Sequence, residues 1–247
     1  GVQGVRVSGN FKFDVSLPQE YIKRGRAFAQ ALSRKMVTIA STREGEDELF
    51  IQAIQKQIGR AQSQGVLLEE QVLFCLVPRH PQRFDEVAKK LESAGLSYMR
   101  RSAFVQTGEM SAVNARMITQ GRQLVLLGDS IGEMPRYYAA SHVAIIAGSF
   151  LPFGGQNLIE ACATGVPVLV GPHTENFSQA VFDAIQEGAA LRVPTAEAAV
   201  QQALTLLDEP QRLSRMTQAG TQWVSKHTGA VARVLTGLNE LKAERKN

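Results

Sequence analysis

Short apolar runs alternate with longer amphipathic stretches along this chain. The apolar runs predict buried strands at 37–40, 72–77, 124–127, 142–147 and 166–170, with a further short strand at 98–100. Between them, apolar residues recur at helical spacing over 46–58, 82–94, 133–140, 157–163 and 177–187. This alternation predicts an α/β fold, a Rossmann-like doubly wound parallel sheet with helices on both faces.

Proline and glycine residues mark the ends of the predicted helices. Pro81 suits a first helical turn, whereas Gly95 and Gly188 suit the position just after a helix. Three more helices are predicted after residue 194: one over 196–207 capped by Thr195, one from Pro210, and one over 229–242.

Two segments depart from this regular pattern. Residues 102–121 show no clear period and predict a variable insertion. Residues 1–14 contain a strand-like stretch at 5–8 and predict a connector from, or the last strand of, a preceding domain. The remainder, 15–247, has no repeat or low-complexity linker, so we expect one domain with C-terminal helices.

The composition is that of an ordinary globular protein, with 44% hydrophobic and 20% charged residues, which excludes a disordered chain and a disulfide scaffold. The net charge is +4 and is spread along the chain. It suits an anionic ligand or membrane surface and argues against a nucleic-acid partner. Cys75 and Cys162 lie in apolar runs and are expected to be buried reduced thiols of a cytosolic protein. The four histidines and two cysteines lack metal-ligand spacing, so we expect no metal site and no cofactor.

The chain has no apolar run near the roughly 18 residues that a transmembrane helix needs, and it has no signal peptide. It begins at Gly1 without an initiator Met, so we expect a piece of a longer protein.

The loops that follow the predicted strands carry the candidate chemistry, because ligands of doubly wound sheets bind at the carboxyl ends of the strands. In the first loop, Ser41, Thr42 and Gly45 could bind an anion beside a helix start. The alternative is an ordinary capped helix start, with Glu44 and Glu46 complementing the helix dipole. This alternative is favoured when the loop is considered alone.

The second and third loops leave similar alternatives. Pro78, Arg79 and His80 form a stiff loop in which the arginine suits a phosphate or carboxylate, or they form a rigid turn only. In the third loop, the glycines at 128 and 132 let the backbone approach a ligand, with Glu133 and Met134 starting a helix. A plain capped loop is again favoured there.

The fourth loop favours a functional interpretation over a flexible turn. Gly154 and Gly155 would open a helix whose amides hold phosphate, and Asn157 and Glu160 would share its first face, with Glu160 accepting from ribose hydroxyls. The pattern is neither a dinucleotide fingerprint nor a Walker motif. The loop over 171–177 could close over a ligand. We expect structural roles for His142, His227 and Trp223.

These loops, in this order, resemble the C-terminal half of the 3-deoxy-D-manno-octulosonic acid (Kdo) transferases, family 30 of the GT-B glycosyltransferases, from residue 5 to about residue 188. The resemblance implies a CMP-Kdo-binding domain of an inverting enzyme that transfers Kdo to a lipid A precursor (lipid IVA) in lipopolysaccharide synthesis and releases CMP. The full-length enzyme would work at the cytoplasmic face of the inner membrane. Its catalytic base would be a glutamate of the missing N-terminal domain, so this piece would bind donor without turnover.

The resemblance also implies which residues bind the donor. They are Ser41, Thr42, Gly45, Pro78, Arg79, His80, Gly132, Glu133, Met134, Gly154, Gly155, Asn157, Leu158, Ile159 and Glu160. Members of the family often carry histidine where this chain has Arg43 and Gln156, and Arg43 would then supply the positive charge. Two alternatives stay open: a GT-B transferase or epimerase that uses a UDP-sugar, and a non-catalytic nucleotide-binding module.

Overall fold

The computed structural model describes residues 5–104 and 110–244, and within them one parallel sheet forms the centre of the fold. Its strands are β1 (Lys35–Thr42), β2 (Val72–Pro78), β3 (Tyr98–Arg100), β4 (Val125–Leu127), β5 (Val143–Ile146), β6 (Val168–Val170) and β7 (Ala190–Arg192). The strand order is β3-β4-β2-β1-β5-β6-β7, and every neighbouring pair is parallel.

Helices cover both faces of this sheet. They are α1 (Gln19–Ala31), α2 (Glu46–Ser63), α3 (Leu68–Gln71), α4 (Phe84–Ser93), α5 (Ala112–Gln120), α6 (Met134–Ala140), α7 (Ile159–Thr164), α8 (Ser178–Gln186), α9 (Ala196–Leu207), α10 (Pro210–His227) and α11 (Ala230–Glu244). Short 3-10 turns occur at Phe11–Phe13, Pro81–Arg83, Arg101–Phe104 and Glu175–Phe177. No helix in the described part of the chain is both long and apolar enough to cross a membrane.

The core lies on the two sides of the sheet because successive residues of a strand point to opposite faces. Val37 and Ile39 of β1 join the layer that α2, α4 and α9 cover. On the other face, Met36 packs with α1, α5 and α6, and Ala40 packs with α7, α8 and α10. The predicted doubly wound fold is therefore confirmed.

The strand order reverses beside β1, which is the structural basis for a ligand site. From β1 the chain proceeds outward through β2 towards β3 and β4, and it then returns to β5 on the other side of β1. The loops that leave the carboxyl ends of β1 and β5 diverge at this point, which creates the crevice where such sheets bind ligands.

The local structure differs from the sequence predictions at several points. Residues 102–121 are not an irregular insertion, since α5 occupies Ala112–Gln120 behind a capping box made by Ser111 and Asn114; residues 105–109 lie outside the described residues. Residues 5–8 form an irregular segment in which Val5 and Val7 are exposed, and the connector or last-strand role of residues 1–14 stays a prediction. In addition, α1 and β7 had not been predicted at all.

The cysteines agree with expectation. Cys75 and Cys162 are free and fully buried, and burial raises the pKa of the Cys162 thiol to about 12 and that of Cys75 further. In the described residues, no group of three His, Cys, Asp or Glu side chains could hold a metal ion.

Candidate functional site

A cavity of about 140 Å³ opens at the carboxyl edge of the sheet, beside β1 and β2. It brings together parts of three predicted loops, and five of the predicted site residues line it: Ser41, Pro78, Arg79, Gly132 and Met134. Val77, Pro81, Phe84, Ser130 and Ile131 complete its wall. The chemistry-bearing loops therefore meet in space although they lie up to 93 residues apart in the chain (134 − 41).

Ser41 has a strained backbone at the mouth of this cavity. Its φ is 61°, a left-handed conformation that costs a non-glycine residue free energy and often marks a functional site. The hydroxyl of Thr42, the next residue, is buried and donates to Asp47 Oδ1 at 2.6 Å. Gly45 takes φ 83° at the start of α2. The first loop is thus shaped by its backbone and leaves no free Thr42 hydroxyl for a ligand.

Arg79 lines the cavity, and the carboxyl group of Glu160 lies close enough to be influenced by its charge. The Arg79 side chain is exposed, and its amide donates to Thr42 O at 3.0 Å. Burial raises the pKa of the half-buried Glu160 carboxyl, and the positive charge of Arg79 partly opposes that shift. His80 lies at the start of the Pro81–Arg83 turn and is half-buried. Two predicted site residues from different loops, Arg79 and Glu160, are therefore electrostatic neighbours.

The loop between β4 and α6 is held by arginines. Glu133 Oε1 accepts from Arg101 at 2.9 Å and from Arg136 at 2.6 Å, and all three side chains are at least 88% buried. Gly132 takes φ 77° beside them. The carboxylate of Glu133 is therefore engaged within the protein, whereas its neighbours Ile131, Gly132 and Met134 line the cavity.

The loop between β5 and α7 differs from the sequence prediction. Gly154 and Gly155 do take positive φ values of 82°, but α7 begins only at Ile159. Asn157 therefore precedes the helix and does not share a helical face with Glu160; its Oδ1 accepts from the Ile159 amide at 2.9 Å. Leu158 and Ile159 are both 0% exposed, so neither presents its side chain to a ligand in this structure.

The loop over 171–177 packs directly on this glycine pair. The Asn176 amide donates to Gly154 O at 2.9 Å, and a Cβ on Gly155 would lie 3.2 Å from His173 O. Arg192 fixes the loop by donating to Gly171 O, Pro172 O and Thr174 Oγ1, each at 2.9 Å. In this structure the segment forms a fixed wall beside Gly154 and Gly155.

Two carboxylates that the sequence analysis had not selected as site residues lie at the centre of these loops. Glu46 and Asp47, the first residues of α2, are both 0% exposed. Asp47 pairs with the buried guanidinium of Arg83, while burial raises the Asp47 pKa and the Thr42 and Arg83 contacts lower it. Sequence gave no signal for their burial, because acids in a first helical turn are ordinarily exposed.

The remaining candidates have structural roles, as expected. His142 Nδ1 accepts from the Met36 amide at 3.2 Å, and burial lowers the pKa of this histidine to about 4. His227 Nδ1 contacts Trp223 O at 2.8 Å, and Trp223 is 0% exposed with its ring 5.0 Å from that of Phe13. Phe13, near the chain start, is therefore part of the core.

The chain is similar to named transferases over nearly its whole length, although no family model matches it. It is 49% identical over 97% of its length to a 3-deoxy-D-manno-octulosonic acid transferase of Bordetella pertussis, of which it covers 52%. A transferase of the same name from Haemophilus influenzae is 29% identical over 94% of the chain, which covers 50% of that protein. The chain thus spans about half the length of these relatives.

Solved structures agree with this similarity. The C-terminal CMP-Kdo binding domain of WaaA from Acinetobacter baumannii matches with a TM-score of 0.70 and 29% identity, over 84% of this chain and 99% of that one. The C-terminal domain of a group 1 glycosyl transferase from Francisella tularensis matches with a TM-score of 0.55 at 13% identity, over 88% of this chain and 97% of that one. That second likeness concerns the fold alone, which is that of one half of a GT-B glycosyltransferase.

Proposed function

This chain is homologous to the C-terminal half of the 3-deoxy-D-manno-octulosonic acid transferases, and from that premise we propose that it is the CMP-Kdo-binding domain of such an enzyme. The observation that carries the proposal is the match to a CMP-Kdo binding domain across nearly all of that domain. The cavity at the carboxyl edge of the sheet supports it, since residues of three of the four predicted donor loops line it.

In the proposed complex, the CMP moiety lies in the cavity. Pro78 and the backbone of 132–134 contact the nucleotide, which suits the rigid wall they form. Arg79 faces the phosphate, because an exposed guanidinium at the cavity mouth can pair with an anion bidentately. His80 supports the Arg79 loop. Glu133 contributes through its backbone, since its carboxylate is engaged by two arginines.

The ribose and the Kdo group lie towards β5. Glu160 accepts from the ribose hydroxyls, and its proximity to Arg79 keeps ribose and phosphate sites adjacent. Asn157 and the loop from Gly154 to Ile159 outline the phosphate side, although the amides of Gly155 and Ile159 already donate to Gly148 O and Asn157 Oδ1. Ser41, Thr42 and Gly45 shape the loop that borders the phosphate or the Kdo group. With these groups the leaving phosphate is stabilised by a guanidinium and backbone dipoles.

The whole enzyme adds what this half does not supply. We propose that the other half binds the lipid A precursor and carries the base that deprotonates the acceptor hydroxyl, so that Kdo is transferred with inversion and CMP leaves. The full-length protein would then associate with the cytoplasmic face of the inner membrane. Residues 1–14 would connect the halves, and 15–247 would form the donor domain.

The test of this proposal is titration calorimetry of the purified chain with CMP and UMP. We expect CMP to bind and UMP to bind more weakly, because a site built for a cytosine nucleotide presents donors and acceptors that uracil leaves unpaired, which costs about 1–3 kcal/mol. Absence of CMP binding would contradict the proposal. A preference for UMP would favour a UDP-sugar-dependent enzyme instead.

A further inference from the structure

Glu46 joins the loop after β1 to the loop after β5. Its Oε2 accepts from the amide of Arg43 at 2.9 Å and from the amide of Gly148 at 2.6 Å, and its Oε1 accepts from the amide of Phe150 at 2.9 Å. Gly148 and Phe150 begin the loop that leads to the Gly154–Gly155 pair. One side chain thus joins the two loops that leave the sheet where the strand order reverses.

Asp47 joins the same first loop to the loop after β2. Its Oδ1 accepts from Thr42 Oγ1 at 2.6 Å, and its Oδ2 accepts from Arg83 Nη2. Arg83 Nη1 in turn donates to Thr42 O at 3.1 Å. Arg83 belongs to the turn that starts with Pro81, a wall residue of the cavity.

The burial of these two carboxylates exceeds what helix α2 requires. An exposed acid in the first turn complements the helix dipole without desolvation, whereas a buried charge costs free energy unless its hydrogen bonds are satisfied. Both side chains are 0% exposed, and both are satisfied mainly by groups outside α2. The contacts therefore hold loops to one another rather than stabilise one helix end.

We propose that Glu46 and Asp47 are positioning residues that hold the loops after β1, β2 and β5 in the arrangement that binds the donor. Glu46 positions the phosphate side, and Asp47 positions the cavity side. This inference rests on the proposed function for the identity of the ligand. Glu46 acts through the β5–α7 loop, and Asp47 acts through Arg83 on the wall that Pro81 and Phe84 form. Neither carboxylate touches the nucleotide, since both are 0% exposed.

The test compares CMP with cytidine in the purified chain and its variants. Glu46→Gln replaces one accepting oxygen by an NH₂ group that opposes a backbone amide, so CMP affinity should fall at least about tenfold while cytidine affinity stays within about twofold. Asp47→Asn should weaken CMP and cytidine by similar factors, because it loosens the cavity wall. Glu48→Gln, the same change in the same helical turn, is the matched control: the partly exposed Glu48 carboxylate pairs with Lys90, and the variant should bind CMP like the wild type.

A purely structural role would lower the melting temperature without changing the ratio of CMP to cytidine affinity. An unchanged ratio in Glu46→Gln overturns the role of Glu46, and unchanged cytidine affinity in Asp47→Asn overturns that of Asp47. If a variant fails to fold, hydrogen exchange of the wild-type chain tests the role of Glu46. The Gly148 and Phe150 amides should exchange at least about tenfold more slowly than the amide of the exposed residue Ile131. Equal rates overturn the proposal. Failure of the wild type to bind CMP refutes the proposed function instead. The exchange rates then still test whether Glu46 holds the two loops together.

Discussion

At the scale of single residues, Glu160 is the side chain whose environment best fits a sugar hydroxyl. It is half-buried, and the charge of Arg79 helps to keep it ionised against the effect of burial. We expect Glu160→Ala to weaken CMP binding by about 1–3 kcal/mol, the contribution of hydrogen bonds to a charged, partly desolvated acceptor. Titration calorimetry of both proteins measures the difference.

The control for this prediction is 2′,3′-dideoxy-CMP, which lacks both ribose hydroxyls. If Glu160 binds the ribose, the wild type should prefer CMP over 2′,3′-dideoxy-CMP, and Glu160→Ala should bind the two ligands alike. A variant that keeps the wild-type preference would assign the ribose hydroxyls to another group.

Residue identity and spacing predicted only some of this site. Arg79 could be selected because it lies in a stiff proline-bounded loop after a buried strand, and Glu160 because it follows a Gly-Gly pair after another strand. Glu46 could not be placed, since the Gly148 and Phe150 amides that donate to it lie 102 and 104 residues away and meet it only in the folded chain. Sequence gives the chemistry of a group, whereas its burial follows from long-range packing.

At the scale of elements, the contact between α1 and α6 depends on one glycine. A Cβ on Gly25 of α1 would lie 2.4 Å from Arg136 O and 2.8 Å from Ala139 Cβ, so alanine there must push the two helices apart. We expect Gly25→Ala to lower the free energy of unfolding by about 1–3 kcal/mol, as overpacking does. Urea denaturation followed by circular dichroism measures this change.

Gly59 provides the matched control within α2. In the described residues, no atom beyond its chain neighbours and its own helix backbone lies within 4 Å of a Cβ built on it. The same substitution should therefore raise the free energy of unfolding by about 0.5–1 kcal/mol through helix propensity. Equal effects of the two substitutions would show that propensity, and not the α1–α6 contact, governs both sites.

The elements that sequence missed have a physical explanation. Helix α5 lies in a stretch with two exposed apolar residues, Val113 and Met117, which obscure its helical period. The strand-like stretch at 5–8 pairs with no strand in the described part of the chain. Gly154 and Gly155 both adopt left-handed conformations and lie in the loop before helix α7, which starts only at Ile159.

At the scale of the whole molecule, the strands of the parallel sheet carry both the core and the loops of the proposed donor site. β1 lies in the middle of the sheet order, and the loop at its carboxyl end borders the cavity and is joined through Glu46 and Asp47 to the loops on both sides. A ligand that binds only when these loops are in place should therefore stabilise the entire domain and not one edge of it.

The two buried thiols offer a direct measurement of this coupling. Cys75 lies in β2 and Cys162 in α7, on different elements, and both are 0% exposed, so a thiol reagent reaches them only when the fold opens. CMP at about 100 times its dissociation constant should slow the labelling of both cysteines by about 100-fold, because only the closed state binds it. UMP at the same concentration should slow labelling less. Protection of one thiol without the other would mean that residues 15–247 open in parts and do not form one cooperative unit.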